Sequence, residues 1–226
     1  KTLYSLNWRF GGPAAQQRAG HTHEELDALF AEWIEQADIY GWLRPQGVMG
    51  IYPCQTLDGE TVAVFDPSDP ARELCRLTFT VVLGAGKKDT VSGAQYFHPK
   101  ESGIHGVIGL QLSTAGPQVD DAIAAFKAAN DTESALYLQG LSDRIAEDMA
   151  NYLHNEQRRL LGLGAETGQR WSPGYPGMRD IEMNKVLLDV LDGERQLGVR
   201  ITDAGEFLPT GTTGAAVSFH PEARYT

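Results

Sequence analysis

One uninterrupted helical pattern runs from Thr132 to Leu161 and restricts the fold more than any other feature of the chain. Ala135, Leu138, Leu141, Ile145, Met149, Tyr152 and Leu153 recur on one face of it, and Asp143, Arg144, Glu147, Asp148 and Glu156 fall largely outside that stripe. At about 1.5 Å per residue such a helix spans much of a domain, so other elements must be laid against it. The segments before it read mostly as strands. Residues 48–52 and 61–65 are short apolar runs joined by a turn at 57–60. Residues 74–83 alternate in part, as a third strand or a strand after a short helix, and 104–112 form another strand. The stretch 84–103, rich in Gly, Lys and Ser, has no periodicity and reads as a long loop.

Helices frame these strands. Thr22 with Glu25 three residues on makes a capping box, and Leu26, Leu29, Phe30, Trp33, Ile34 and Ala37 follow at helical spacing until Gly41. A turn at 44–47 leads into the first strand. Residues 119–129 form a helix that turns Ile123 and Phe126 inward. After the long helix come a structured loop at 162–177, a helix at 180–191 with Leu187, Leu188 and Leu191 apolar, and short strands from 199 to 219. Strands without crossover helices between them, then a long helix, then more strands, imply an α+β architecture.

Composition excludes some functions. With 30 acidic against 19 basic residues the formal charge is -11, and the nearest approach to a basic cluster is Gln157-Arg158-Arg159. Nucleic acid is therefore not an expected partner, because phosphate binding needs clustered cations. No apolar run approaches the roughly 18 residues of a membrane span, so no membrane partner is expected either. The start lacks the apolar stretch of a signal peptide, and both ends suggest a segment of a larger protein. Cys54 and Cys75 do not form a thiolate metal motif, and a reducing cytoplasm is the simplest setting. A hydrophobic fraction of 42% and a charged fraction of 22% suit a soluble globular domain.

Most candidate motifs are weak. Gly84-Ala85-Gly86-Lys87-Lys88 lacks the full phosphate-loop pattern and reads as solvated loop. His21 and His23 lack a third metal ligand and fit a helix start better. His98, His105, His154 and His220 stand in unrelated contexts. Residues 210–214 could cradle an anion through backbone amides, with an ordinary turn as the default. The segment Arg170-Trp171-Ser172-Pro173-Gly174-Tyr175-Pro176 differs from these. Its prolines stiffen a backbone that Gly174 lets turn, and an adjacent arginine can grip a carboxylate with two parallel hydrogen bonds. By composition alone this segment reads first as a stiff turn packed on the long helix.

Further residues tie that loop to a family. Arg170 with Gly174-Tyr175-Pro176 resembles the Arg-x-x-x-Gly-Tyr-Pro pattern of the activation domain of cobalamin-dependent methionine synthase. Asp143-Arg144-Ile145-Ala146-Glu147 and Tyr152-Leu153-His154 resemble that family's long-helix motifs, with Asn130-Asp131 before them. Pro209, His220-Pro221 and Arg224-Tyr225 fall at its C-terminal spacing. The segment 44–53 resembles its early strand, and Asn7-Trp8 its Asp-Trp. The resemblance covers nearly all of residues 1–226, most specifically 130–225.

The resemblance implies a single curved α+β domain with a twisted antiparallel sheet flanked by helices, including the long one near 132–161. It implies S-adenosylmethionine as cofactor and cobalamin bound by a partner domain of the same or another chain. Flavodoxin or a flavoprotein reductase would supply the electron for reductive methylation of cob(II)alamin to methylcobalamin, within a 5-methyltetrahydrofolate-homocysteine methyltransferase. The isolated domain is not expected to be catalytic alone. By resemblance, Arg170 would hold the ligand carboxylate, and backbone groups of Trp171, Ser172, Pro173 and Gly174 would lie along the ligand. Tyr175 would face the cobalamin, and Glu147 would lie near the sulfonium. Asn7 would meet the amino group, and Tyr225 and Thr226 would contact the ligand. Asn7 replaces the family's Asp, Thr226 its second tyrosine, and 177–181 depart from its Ala-Cys-Pro-x-His. These departures leave room for a reactivation factor of another corrinoid protein, or for a docking domain that binds no cofactor.

Overall fold

The computed structural model describes residues 2–13, 15, 20, 22–83 and 90–224. His21, the 84–88 loop, Tyr225 and Thr226 lie outside the described residues. One wide helical turn, Leu3–Asn7, opens the chain, followed by α1 (His23–Ile39). Then come β1 (Gln46–Thr56), β2 (Thr61–Asp66), β3 (Asp69–Thr78), β4 (Val82–Leu83), β5 (Thr90–Val91) and β6 (Gly106–Thr114). Helices α2 (Gln118–Ala128) and α3 (Thr132–Leu160) precede β7 (Gln169–Trp171). The C-terminal part holds α4 (Met183–Val190), α5 (Gly193–Leu197), β8 (Arg200–Ile201), β9 (Phe207–Leu208) and β10 (Thr212–Ser218). Six strands form one antiparallel sheet in the order β3-β2-β1-β6-β10-β7, and β4-β5 and β8-β9 are separate pairs.

Alternation along β6 divides the interior. Ile108, Leu110 and Leu112 point to one side, where they meet Val62, Val64 and Trp171 of the sheet and Leu187, Leu188, Leu191 and Leu197 from the α4–α5 region. Gln111 and Ser113 point the other way, toward α3. The Gln111 side-chain amide donates to the Ala150 carbonyl at 3.0 Å, and the Ser113 hydroxyl to the Ala146 carbonyl at 2.9 Å. From the helix, the Gln157 amide donates to the Leu110 carbonyl at 3.1 Å and the Gly50 carbonyl at 3.2 Å. A second core joins Leu3, Tyr4 and Trp8 to Leu26 and Trp33 of α1, Val119 and Ile123 of α2, and Leu138 and Leu141 of α3. The first half of α3 thus serves the helical core, and the second half lies on the sheet.

That division explains where the sequence pattern misleads. Tyr152, expected in the buried stripe, is 59% exposed, whereas Ala146, Ala150, His154 and Gln157 are buried. The sheet-facing half of α3 uses small and polar side chains, which an apolar template passes over. The third strand begins at Asp69, and the stretch after residue 89 holds β5 and two short helical turns rather than continuous loop. The capping box forms as expected, with the Thr22 hydroxyl accepting from the Glu25 N–H and the Glu25 carboxylate from the Thr22 N–H. Among the described residues, no helix is long and apolar enough to cross a membrane.

Candidate functional site

The cleft opens where α3 passes from one core to the other. Its larger cavity, about 570 Å³, lies between Leu6 and Asn7 of the first turn, Asp143, Arg144 and Glu147 of α3, the Ser172–Tyr175 loop, and the β9–β10 region around Phe207 and Thr213. A smaller one of about 290 Å³ shares Arg144, Glu147, Ser172 and Tyr175 with it and adds Gln169 and Arg170. The larger volume falls within the usual size range of small-molecule sites.

Strand pleat decides which side chains of the 170 segment reach the cleft. Arg170 pairs with Val217 of β10 and turns toward α3, where its Nη2 lies 3.4 Å from Glu147 Oε2. Trp171 therefore points to the opposite face. It is 1% exposed, its indole N–H donates to the Ser218 hydroxyl at 3.0 Å, and its ring meets Phe79 edge-on. The Trp171 side chain is a core residue, and only its backbone is left for the cleft. Ser172 lines both cavities, Pro173 is buried, and the chain then reverses through Gly174 at φ +84°. The Gly174 N–H donates to the Met178 carbonyl, and the fully buried Met178 fastens this turn to the core. Tyr175 stands at the mouth, 58% exposed, in the wall of both cavities.

The start of β7 is held from two sides. Arg158 of α3 donates through Nε to the Thr167 carbonyl at 2.6 Å and through Nη2 to the Gly168 carbonyl at 3.5 Å. Gly168 adopts φ +89°, and a Cβ there would lie 2.4 Å from the Ser218 carbonyl oxygen. Only glycine fits such an approach.

Charge in the cleft is predominantly negative. Among the described residues, Asp143, Glu147 and Glu206 line the larger cavity against Arg144 alone. Burial raises the pKa of Asp143; the Gln139 amide, donating to its carboxylate at 2.8 Å, opposes that rise, and the nearby Asp120 and Glu147 charges add to it. His154, behind Arg170, has its pKa pushed down to about 4, first by burial and then by the Arg158 and Arg170 charges. It is therefore neutral at pH 7.

Of the residues singled out in the sequence, Arg170, Glu147, Ser172, Pro173, Tyr175 and Asn7 all line the cleft. Gly174 turns the loop behind them, and Tyr225 and Thr226 lie outside the described residues. The reading missed Asn184, Glu206 and Phe207, for which no local motif signals a site. Asp143 and Arg144 carried a signal in the family's helix motif but were placed only outside the buried stripe of the long helix. Among the described residues, no group of His, Cys, Asp and Glu is arranged to hold a metal ion.

Residues 3–226 match the family described as vitamin B12 dependent methionine synthase, activation domain. The methionine synthase of Mycobacterium leprae is similar to the chain at 23% identity over 254 residues, covering 100% of this chain but only 21% of that protein. Among solved structures, a crystal structure of the MetH reactivation domain bound to AdoHcy superimposes with a TM-score of 0.79 at 21% identity. That match covers 98% of this chain and 74% of the other, and at this identity it shows a shared fold. On the family match across nearly its whole length, the chain belongs to the vitamin B12-dependent methionine synthase activation domains.

Proposed function

We propose that the cleft binds S-adenosylmethionine and offers its methyl group to a corrinoid carried by another domain or protein. The observation that carries this reading is the meeting of Arg170 and Glu147, from β7 and α3, at the edge of a predominantly acidic cleft. S-adenosylmethionine bears one carboxylate and two cationic centres, so it asks for one arginine and several acceptors. Arg170 would take the carboxylate in charge-assisted hydrogen bonds, and Glu147 would balance the sulfonium. Asn7 would accept from the ammonium through its amide oxygen, a weaker partner than a carboxylate. Tyr175, at the mouth, would face the corrinoid. Tyr225 and Thr226, and the backbone from Trp171 to Gly174, complete the proposed contacts.

In this reading one electron from flavodoxin or a flavoprotein reductase accompanies methyl transfer, and the thioether remains as product. The corrinoid supplies the nucleophile, so the chain needs no general base of its own. Its residues bind, orient and neutralise charge. The coverage of 21% of the methionine synthase suits a module of a longer 5-methyltetrahydrofolate-homocysteine methyltransferase. Calorimetric titration with S-adenosylmethionine tests the reading. Arg170→Ala is expected to weaken binding by roughly 10- to 100-fold, the equivalent of about 1.5–3 kcal/mol for hydrogen bonds to a charged group. No binding by the unmodified protein at millimolar ligand, or an unchanged dissociation constant in Arg170→Ala, would overturn it.

A further inference from the structure

We propose that one buried water lies between α3 and β6, held by Gln111, Gln157 and His154, and joins the long helix to the sheet. Gln111 Oε1, Gln157 Oε1 and His154 Nε2 are enclosed and have no hydrogen-bond partner among the described residues. Their residues are 1%, 0% and 5% exposed. Such atoms are costly unless something satisfies them. The amides cannot do so by turning over. The Gln111 amide nitrogen donates to the Ala150 carbonyl, and that of Gln157 to the Leu110 and Gly50 carbonyls. Reversing either amide would set its oxygen against a carbonyl oxygen, so both Oε1 atoms need a donor from elsewhere.

All three atoms belong to one seam. Gln111 reaches from β6 to Ala150, and His154 follows Ala150 by about one helical turn on the buried face of α3. Gln157 is the next buried polar residue on that face and bonds the carbonyl of Leu110, the neighbour of Gln111 in β6. Gly109 makes the room, because a Cβ there would lie 2.8 Å from the Gln157 amide. A water matches what this seam asks for. Its two hydrogens go to the two Oε1 atoms, and its oxygen accepts from an Nε2–H of His154, which makes the three bonds usual for a buried water. His154 is then the neutral tautomer with its proton on Nε2. A cation fits worse, since Arg158 and Arg170 already act on that imidazole and none of the three residues brings a negative charge. The inference is independent of what the cleft binds.

NMR of the isotope-labelled whole chain tests it. Long-range proton–nitrogen spectra at neutral pH should show His154 protonated on Nε2 and bare on Nδ1. Water-selective Overhauser spectra should give cross-peaks from a long-lived water to the His154 Nε2–H and to the side-chain amides of Gln111 and Gln157. Gln111→Met, similar in length, removes one acceptor, so the water cross-peak at the Gln157 amide should be lost while the spectrum stays dispersed. A proton on Nδ1 in the unmodified protein, or an Nε2–H without a water cross-peak, would overturn the inference whether or not the variant folds. A Gln157 cross-peak that persists in the folded variant would overturn it too. So would His154 signals that shift when sodium is exchanged for tetramethylammonium, the mark of a bound cation.

Discussion

His154 is buried beside two guanidinium groups, and acid should expose the consequence. Its folded pKa of about 4 lies below the ordinary value of 6.5, so between these pH values the unfolded chain takes up a proton that the folded one refuses. Stability is therefore expected to be unaffected by this residue above pH 6.5 and to fall as pH drops from 6.5 toward 4. Urea midpoints measured across that window should decline in the unmodified protein and decline less in His154→Gln; parallel curves would contradict the assignment. At the same scale, Gln157 donates to two strand carbonyls from a fully buried position. Gln157→Ala is expected to cost about 1–3 kcal/mol, read from the same denaturation curves, because it removes those bonds and opens a cavity.

Among the elements, β7 is the one on which the cleft depends. It has three residues, pairs among the described residues only with β10, and carries Arg170. Gly168→Ala would set a methyl group against the Ser218 carbonyl at a left-handed backbone position. It is expected to destabilise the protein by about 1–3 kcal/mol, measured by urea unfolding, and to weaken ligand binding as Arg170 loses its register. By contrast, α1 stands away from the cleft. Thr22→Ala should cost about 1 kcal/mol through its lost cap and leave the ligand dissociation constant unchanged. Helices α1 to α4 were legible in the sequence because caps and apolar spacing are local signals, whereas the five-residue α5 was not. Strand β7 was not, since three residues between glycine-rich turns show no period. Tyr152 was misplaced for a related reason: the buried face of α3 turns polar where it meets the sheet.

On the scale of the whole molecule, the cleft lies between parts that share little else. The first turn belongs to the helical core, the β9–β10 region to the sheet, and α3 connects the two. A ligand bound there would tie both cores together. S-adenosylmethionine at 100 times its dissociation constant is expected to raise unfolding stability by about 2.7 kcal/mol. The added hydrogen-exchange protection should extend to Leu3–Asn7 as well as to β7. Protection confined to one side would argue against a ligand that spans the cleft.

The sequence by itself determined the architecture class, the long helix, the capped first helix and the family, along with Arg170 and Glu147 as candidate ligand contacts. Periodicity, caps and short motifs are local or nearly local, so a linear reading can reach them. Only the tertiary structure decided that Arg170 faces α3 while Trp171 joins the core, because that depends on the register of β7 against β10. It alone brought Asn184, Glu206 and Phe207 to the cleft from a segment with no motif. It also showed Arg170 and Glu147 as an ion pair. That contact joins residues on separate elements, and its energy depends on burial and neighbouring charge, neither of which is written in the order of residues along the chain.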